Sequence, residues 1–308
     1  EFQKELMREI AKNTLLEKEN KTLIEEVKKS NKMIKCLNEK FEELVSDLKQ
    51  LKEDKLRNNK CLIEINKKIK ELSFDMEILK INVVFKYVEN KWKFHSFFWQ
   101  CCDNNCVNNN NPNGLCSKGN GFPQIKSNTK IEYINCKENG SDLVTRIQSE
   151  NYFIKPIDEL IKTFTLYYYE VKLISEEIDW IFIGFTNRND NIDLDLRFNA
   201  IHYFFRNKSK RIKLPSLTYK TNDIIGCGLV YPPPKIKNKL LPYIFFTQNG
   251  KQIGKAILLK EDCESFRPFV SLRCCSIETN FGDKSFNYDL SKYCVTTEFY
   301  KEEEFEDI

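Results

Sequence analysis

Residues 243–254, YIFFTQNGKQIG, carry the pattern that decides the fold of the C-terminal part of this chain. Two strand-like runs flank the dipeptide Asn249-Gly250, and both of its residues tolerate positive φ. Such a dipeptide between two runs of this kind is typical of a tight β-hairpin. The stretch therefore predicts two neighbouring antiparallel strands.

Further strand-like runs surround this hairpin from about residue 83 onward. They are short, aromatic and β-branched, and Asn, Gly and Pro residues separate them. No helical pattern of the length that a βαβ crossover needs lies between successive runs, so antiparallel connections are expected. The predicted strands are residues 163–174, 178–186, 200–205, 224–230, 243–247, 252–258, 269–272 and 277–280. The sequence thus predicts an all-β domain.

The N-terminal region has a different pattern, because the first Pro is Pro112 and the first Gly is Gly114. A heptad frame with Leu6 at an a position runs without a slip to Leu79, and 16 of its 22 a and d positions are apolar. A lone amphipathic helix would drift from a strict period of 3.5 residues over this length, whereas a supercoiled helix keeps it. We therefore predict a coiled coil over residues 1–81, about 120 Å long at ~1.5 Å per residue.

The narrow apolar stripe of this helix cannot be buried by the helix itself, so the chain is expected to form a homodimer. Asn13 and Asn20 fall at a positions, where each amide can pair with its symmetry mate, and this favours a parallel arrangement. Lys55 and Asn58 weaken the middle of the stripe, which leaves an antiparallel arrangement open. The residues expected to form the interface are Leu16, Leu23, Val27, Ile34, Leu37, Phe41, Leu44, Leu48, Leu51, Leu62, Ile65, Ile69 and Leu72.

A polar loop at residues 101–120 contains four of the 12 cysteines, and Cys136 follows it. The four are Cys101, Cys102, Cys106 and Cys116, a spacing without a CxxC pair and without a nearby His other than His95. A disulfide would need an oxidising compartment. Reduced structural cysteines are the favoured interpretation, with disulfides and a metal site as the alternatives. We therefore predict no metal ligands and assign residues 82–136 to a Cys-rich segment that packs on the β domain.

Catalytic motifs are absent from the sequence. It contains no GxSxG, HExxH or GxxxxGK(S/T) pattern, and its only histidines are His95 and His202. A hydrolytic or metal-dependent site usually needs a histidine beside a nucleophile, an acid or a second ligand. We therefore predict that the protein is not an enzyme and has no catalytic residues and no cofactor.

The charged residues are nearly balanced. The 49 basic and 45 acidic side chains give a net charge of +4, which argues against nucleic acid or an anionic membrane as the main partner. No apolar run reaches the roughly 18 residues that a transmembrane helix needs. The basic run at residues 206–213 is expected to be a solvated loop, and the acidic segment 293–308 a tail that frays.

Six segments of the C-terminal part resemble, in order, those of a SPRY domain, a concanavalin-like bent β-sandwich. They are YYYEVKLI (167–174), WIFIGFT (180–186), NDIIGCGL (222–229), YIFFTQNGKQIG (243–254), FRPFVSL (266–272) and ETNFG (278–282). Asn222 stands where the family usually has Gly, and the LDP and WEV signatures of the longer PRY-SPRY domains are absent. The resemblance is therefore to SPRY-only proteins, both the Ran-binding-protein-M-like class and the secreted SPRY effectors of plant-parasitic nematodes. It implies a SPRY sandwich over residues 137–292.

The same resemblance implies a non-catalytic module that binds a partner protein or peptide through loops at one end of the sandwich. Aromatic and Arg side chains in or beside the loops are the expected contacts, since these types are enriched at binding hot spots. They are Arg188, Arg197, Tyr203, Arg206, Tyr219 and Tyr231. A substrate-recognition subunit of a ubiquitin ligase, a secreted parasite effector and a structural tether are the alternatives. A cytoplasmic location is expected, with secreted and nuclear locations left open.

Overall fold

The computed structural model of the chain describes residues 2–79, 81–94, 100–175, 178–187, 192–235 and 240–308, except for the side chains of Leu15, of residues 71–79 and of Phe94. The chain divides into two compact units, Glu1–Phe74 and Asp75–Ile308. The first consists of helix, and the second contains the strands.

Helix α1 (Phe2–Leu79) is a single helix of 78 residues. Neither Gly nor Pro interrupts it, and Leu, Glu and Lys, which all have high helix propensity, make up much of its sequence. Thr14 and Thr22 are accommodated because their hydroxyls donate hydrogen bonds to the carbonyls of Ile10 and Lys18, one turn back. The predicted long N-terminal helix is confirmed.

The second unit contains 17 strands among its described residues. They are β1 (Val83–Phe85), β2 (Trp92–Phe94), β3 (Phe122–Ile125), β4 (Lys130–Ile134), β5 (Thr145–Ser149), β6 (Phe153–Ile154), β7 (Phe164–Leu173), β8 (Trp180–Asn187), β9 (Ile192–Arg197), β10 (Ala200–Phe205), β11 (Lys208–Lys213), β12 (Ile224–Tyr231), β13 (Tyr243–Gln248), β14 (Lys251–Leu258), β15 (Ser265–Arg273), β16 (Ile277–Asn280) and β17 (Glu306–Asp307). Two short 3₁₀ helices, Leu290–Lys292 and Glu302–Glu304, lie near the C-terminus.

These strands form two sheets. The first has the order β14-β13-β12-β7-β16-β4-β3, with β1 also pairing with β7, and the second has the order β17-β11-β10-β9-β8-β15-β5-β2, with β6 also pairing with β15. Apart from the parallel pairing of β1 with β7, the described strands pair antiparallel. The predicted antiparallel β-sandwich is therefore confirmed. Strands β1 to β4 from the Cys-rich segment belong to these sheets.

The turn between β13 and β14 is formed by Asn249 and Gly250, both with positive φ, 51° and 76°. The Asn249 side chain also accepts a hydrogen bond from the backbone N–H of Ile224 at 2.9 Å and donates one to Asp223 at 2.8 Å. The hairpin predicted from residues 243–254 is thus present, and its turn is tied to the start of β12.

Strand β7 is buried on both faces. Tyr169 points between the sheets and meets Phe185 of the second sheet with ring centroids 5.5 Å apart. Tyr168 points to the opposite face, which we call the outer face of the first sheet. There the rings of Phe286 and Tyr288 lie 4.9 and 5.7 Å from its ring. The segment that follows β16 therefore provides a second, smaller core on the outer face.

The acidic segment 293–308 is ordered in the structure. Strand β17 pairs antiparallel with β11 and places Glu306 opposite Arg211. The carboxylates of Glu302 and Glu306 bind Lys210 and Arg211, the latter pair at 3.2 Å. Two expectations are thereby corrected: the basic run is largely a strand rather than a solvated loop, and the acidic segment does not fray. The physical reason is that two segments of opposite charge pair at the edge of the second sheet.

Candidate functional site

A row of apolar side chains runs along α1 with the heptad spacing predicted from the sequence. We call it the apolar seam; it comprises Leu16, Leu23, Val27, Ile34, Leu37, Phe41, Leu44, Leu48, Leu51, Leu62, Ile65 and Ile69. These side chains are 46–68% exposed. The side chain of Leu72, also expected in the interface, lies outside the described residues. An exposed apolar surface of this extent on a protein is typical of an interaction site.

Several loops meet at one end of the β-sandwich. The strand register places the end of β12 beside the starts of β7 and β13, and the start of β15 beside the end of β6. The end of β14 lies there too, because Leu258 pairs with Tyr243. We call the described loop residues here, 155–163, 206–207, 232–235, 240–242 and 259–264, the loop end.

Ion pairs connect the loops of this end to each other. Lys155 binds Asp262 with a nitrogen-to-oxygen distance of 2.6 Å, and Arg206 binds Glu261 at 2.5 Å. Lys235 binds Glu159 at 2.6 Å. Because each pair joins two different loops, the four loops form one continuous surface with both signs of charge.

Two apolar side chains protrude from this surface. Ile157 is 87% exposed and Leu160 is 82% exposed, and both lie in the loop between β6 and β7. Charged groups of the ion pairs lie on the same loop at Lys155 and Glu159. An apolar centre beside a polar, charged rim is the usual arrangement at protein-protein interfaces. Sequence reasoning missed this pair because it looked for Arg and aromatic residues. The available signal was three apolar residues, Ile157, Leu160 and Ile161, among charged residues after Pro156.

The structure brings together only part of the contact set expected from the sequence. Tyr203, Arg206 and Tyr231 lie at or next to the loop end, at the ends of β10 and β12. Arg197 and Tyr219 lie near the opposite end, where the Tyr219 hydroxyl donates a hydrogen bond to the Arg197 carbonyl at 3.3 Å. Arg188 lies outside the described residues.

Burial corrects the expectation that the tyrosines are surface contacts. Tyr203, Tyr219 and Tyr231 are all buried, because each packs its ring into the sandwich core. Arg197 is also engaged, since its guanidinium lies 3.7 Å from the ring centre of Phe182 and donates to Asp195 at 2.6 Å. Among the described members of the set, Arg206 alone presents a mostly exposed side chain, at 65%.

A polar cleft of about 420 Å³ lies beside the outer face of the first sheet. Glu170 and Glu278 are among its lining residues. The Glu170 carboxylate is buried and accepts hydrogen bonds from the backbone N–H groups of Asn287 and Tyr288, each at 2.9 Å. It therefore anchors the segment after β16. A carboxylate held in this way is occupied as a structural acceptor, which does not suit it to acid–base work.

His202 is part of strand β10, between Asp195 of β9 and Arg211 of β11 in the sheet register. Burial, with Arg197 and Arg211 nearby, lowers the pKa of His202 to about 4. The imidazole is therefore neutral at pH 7, and two guanidinium groups beside it disfavour its protonation. The other histidine, His95, lies outside the described residues.

The lowered pKa predicts a loss of stability in mild acid. Between the unfolded value of about 6.5 and the folded value of about 4, the unfolded chain binds a proton that the folded chain does not. The free energy of unfolding should therefore fall as the pH drops from 7 to 5. His202→Asn should lose less stability than the wild type over this interval. Urea unfolding at the two pH values measures the difference, and equal losses for both proteins would contradict the assignment.

Four cysteine sulfurs converge in the loop between β2 and β3. The Sγ atoms of Cys101, Cys102, Cys106 and Cys116 all lie within 4.8 Å of one another. Cys101 is fully buried, and the other three are partly buried against the core. The spacing of these residues predicted no metal site, yet the fold brings all four together.

The two units define a protein that joins a long helix with an exposed apolar seam to an antiparallel β-sandwich. Within the described residues, none of the helices has the length and hydropathy to span a bilayer. No protein-family model matches the sequence, and no curated protein matches it.

Solved structures resemble the chain at low sequence identity. A human SPRY domain is 15% identical over 52% of this chain and 95% of its own, with a TM-score of 0.34. The SPRY domain of human HERC1 is 12% identical over 53% of this chain and 94% of its own, with a TM-score of 0.34. The lectin UEA-II, complexed with galactose, is 8% identical over 63% of this chain and 97% of its own, with a TM-score of 0.33. Likeness at this level assigns neither a partner nor an activity to the chain.

Proposed function

We propose that this chain is a non-catalytic protein-binding protein that dimerises through α1 and thereby presents two copies of its β-sandwich. The observation that carries the proposal is the apolar seam, whose side chains are 46–68% exposed in the single chain. Burial of apolar surface contributes roughly 25 cal/mol per Å², so covering such a seam along its length favours association strongly.

A second copy of the chain is the occupant that fits the seam best. Its own seam has the same 3.5-residue spacing, which two helices need in order to interlock side chains over many turns. Asn13 and Asn20 would each face their symmetry mates in a parallel dimer, where paired amides are satisfied and fix the register. Two sandwiches on one parallel rod would bind a multivalent partner with added avidity.

The loop end is the surface that we propose for the partner. Ile157 and Leu160 would provide the apolar contacts, and the ion-paired side chains of Arg206 and Lys235 would form the rim. Both signs of charge are present there, which favours a protein segment with an apolar side chain over a polyanion such as nucleic acid. Arg206 is the one exposed member of the contact set expected from the sequence, among its described residues.

Charge substitution at the loop end tests this part of the proposal. Ile157→Asp combined with Leu160→Asp should reduce partner capture by about tenfold or more, because two apolar contacts would be replaced by charges. Ile308→Asp is the matched control, since Ile308 is also an exposed apolar residue of the same unit. The amount of partner captured is measured by quantitative crosslinking with the wild-type chain and with both variants. Equal capture by all three proteins would remove the loop end as the binding site.

A further inference from the structure

The loop that carries the cysteine cluster has little regular structure of its own. Residues 100–120 contain neither a helix nor a strand, and short turns hold them, such as the Asn105 N–H to Cys102 carbonyl bond at 2.8 Å and the Gly119 N–H to Cys116 carbonyl bond at 3.0 Å. Yet Cys101 and Val107 from this loop are buried in the main core. Ordering such a loop costs conformational entropy, so a cross-link between its residues would stabilise the folded state.

The sulfur geometry fits a tetrahedral metal ion. Zn²⁺ binds thiolate sulfur at about 2.3 Å, so neighbouring sulfurs of a tetrahedron lie about 3.8 Å apart. The Cys102 and Cys106 sulfurs are 3.5 Å apart, and those of Cys101 and Cys102 are 3.9 Å apart. A disulfide would require about 2.05 Å. These two separations, and the 4.8 Å limit within which all four sulfurs lie, fit ligands around one ion better than bonded pairs.

The surroundings of the sulfurs are also those of a thiolate site. The backbone N–H of Val107 donates to the Cys101 sulfur at 3.3 Å, and that of Ser117 donates to the Cys106 sulfur at 3.4 Å. Such donors orient ligands and stabilise their negative charge.

We propose that Cys101, Cys102, Cys106 and Cys116 bind one Zn²⁺ ion that fixes the 100–120 loop to the β-sandwich. With four protein ligands the site is closed, and a closed thiolate site is structural rather than catalytic. The four thiols lose their protons on binding, and no redox change is involved. The vicinal pair of Cys101 and Cys102 takes the place of the CxxC pair whose absence argued against a metal in the sequence.

The metal content of the full chain, purified under reducing conditions, tests the proposal. We expect elemental mass spectrometry to find about one Zn²⁺ per chain, as for a four-cysteine site. Replacement by Co²⁺ should give the intense visible absorption of a tetrahedral thiolate complex. Cys102→Ser combined with Cys106→Ser should lose both signals, whereas Cys294→Ser, an exposed cysteine outside the cluster, should keep them.

Measurements on the wild-type chain alone test the proposal even if the variants fail to fold. A chelator should release the Zn²⁺ and make four additional thiols reactive towards a thiol reagent. Three results would overturn the proposal: failure of the reduced chain to take up Zn²⁺ or Co²⁺, disulfides mapped among these four cysteines in the freshly isolated protein, or undiminished metal binding by the double variant.

Discussion

Replacing Leu44 and Leu51 of the apolar seam with glutamate will convert the proposed dimer into a monomer. Both residues occupy d positions one heptad apart, and their side chains are 60% and 65% exposed in the single chain. A dimer would enclose four carboxylates in the stretch of the interface from residue 34 to residue 51, where the other a and d positions are apolar. Burying each unpaired charge costs several kcal/mol, while a micromolar dissociation constant corresponds to only about 8 kcal/mol. We therefore expect no dimer at micromolar concentration.

A matched pair of substitutions separates the seam from the general effect of added charge. Leu56 and Ile63 are also one heptad apart and similarly exposed, at 60% and 69%, but they occupy b positions outside the seam. Leu56→Glu combined with Ile63→Glu should leave the dimer intact. Sedimentation velocity of the wild type and both double variants reads out the mass. A monomeric wild type, or a seam variant that still dimerises, would show that α1 is not the dimerisation element.

The elements with local sequence signals could be predicted from the sequence. The hairpin turn depends on Asn249 and Gly250 alone, since both accept positive φ. The long helix follows from the absence of Gly and Pro and from an apolar period that recurs in every heptad except the one with Lys55 and Asn58. In both cases the determining residues are adjacent or regularly spaced, so no knowledge of distant contacts was needed.

Elements that depend on distant partners could not be predicted in this way. Strand β11 has the sequence KSKRIK, which by itself resembles a solvated basic loop. It becomes a strand because β10 pairs with one edge and the acidic β17 with the other, with Glu306 placed opposite Arg211. Nothing near residues 208–213 in the sequence indicates a partner almost a hundred positions away.

The same limit applies to the candidate sites. Tyr231 has a hot-spot residue type and lies at a strand end, but its ring packs against Tyr167 at a centroid distance of 6.1 Å and is fully buried. Residue type suggests what a side chain could contact, whereas burial depends on the sheet that covers it. The cysteine cluster is a further case, since Cys101 and Cys116 meet only after the loop closes on the core.

Replacing Glu170 with alanine will strongly destabilise the β-sandwich. The carboxylate accepts the backbone N–H groups of Asn287 and Tyr288, both at 2.9 Å, and the Tyr168 hydroxyl at 3.2 Å. Hydrogen bonds to charged groups contribute about 1.5–3 kcal/mol each, and a buried donor left without a partner adds a penalty. We expect the free energy of unfolding to fall by about 4 kcal/mol. The rings of Phe286 and Tyr288 should also pack less closely against Tyr168.

Two further variants show whether this loss comes from the buried hydrogen bonds. Glu170→Gln keeps one acceptor oxygen, but it loses the charge and turns its NH₂ group towards the other backbone N–H, so its effect should be smaller than that of Glu170→Ala but still large. Glu278 lines the same cleft, but Glu278→Ala removes only an exposed ion pair with Lys284, at 3.4 Å, so it should cost less than about 0.5 kcal/mol.

Urea unfolding followed by tryptophan fluorescence gives the loss of unfolding free energy for each of the three variants. If Glu170 anchors the segment after β16, the free energy of unfolding should fall most for Glu170→Ala, less for Glu170→Gln and least for Glu278→Ala. Similar losses of stability for Glu170→Ala and Glu278→Ala would exclude this role of Glu170.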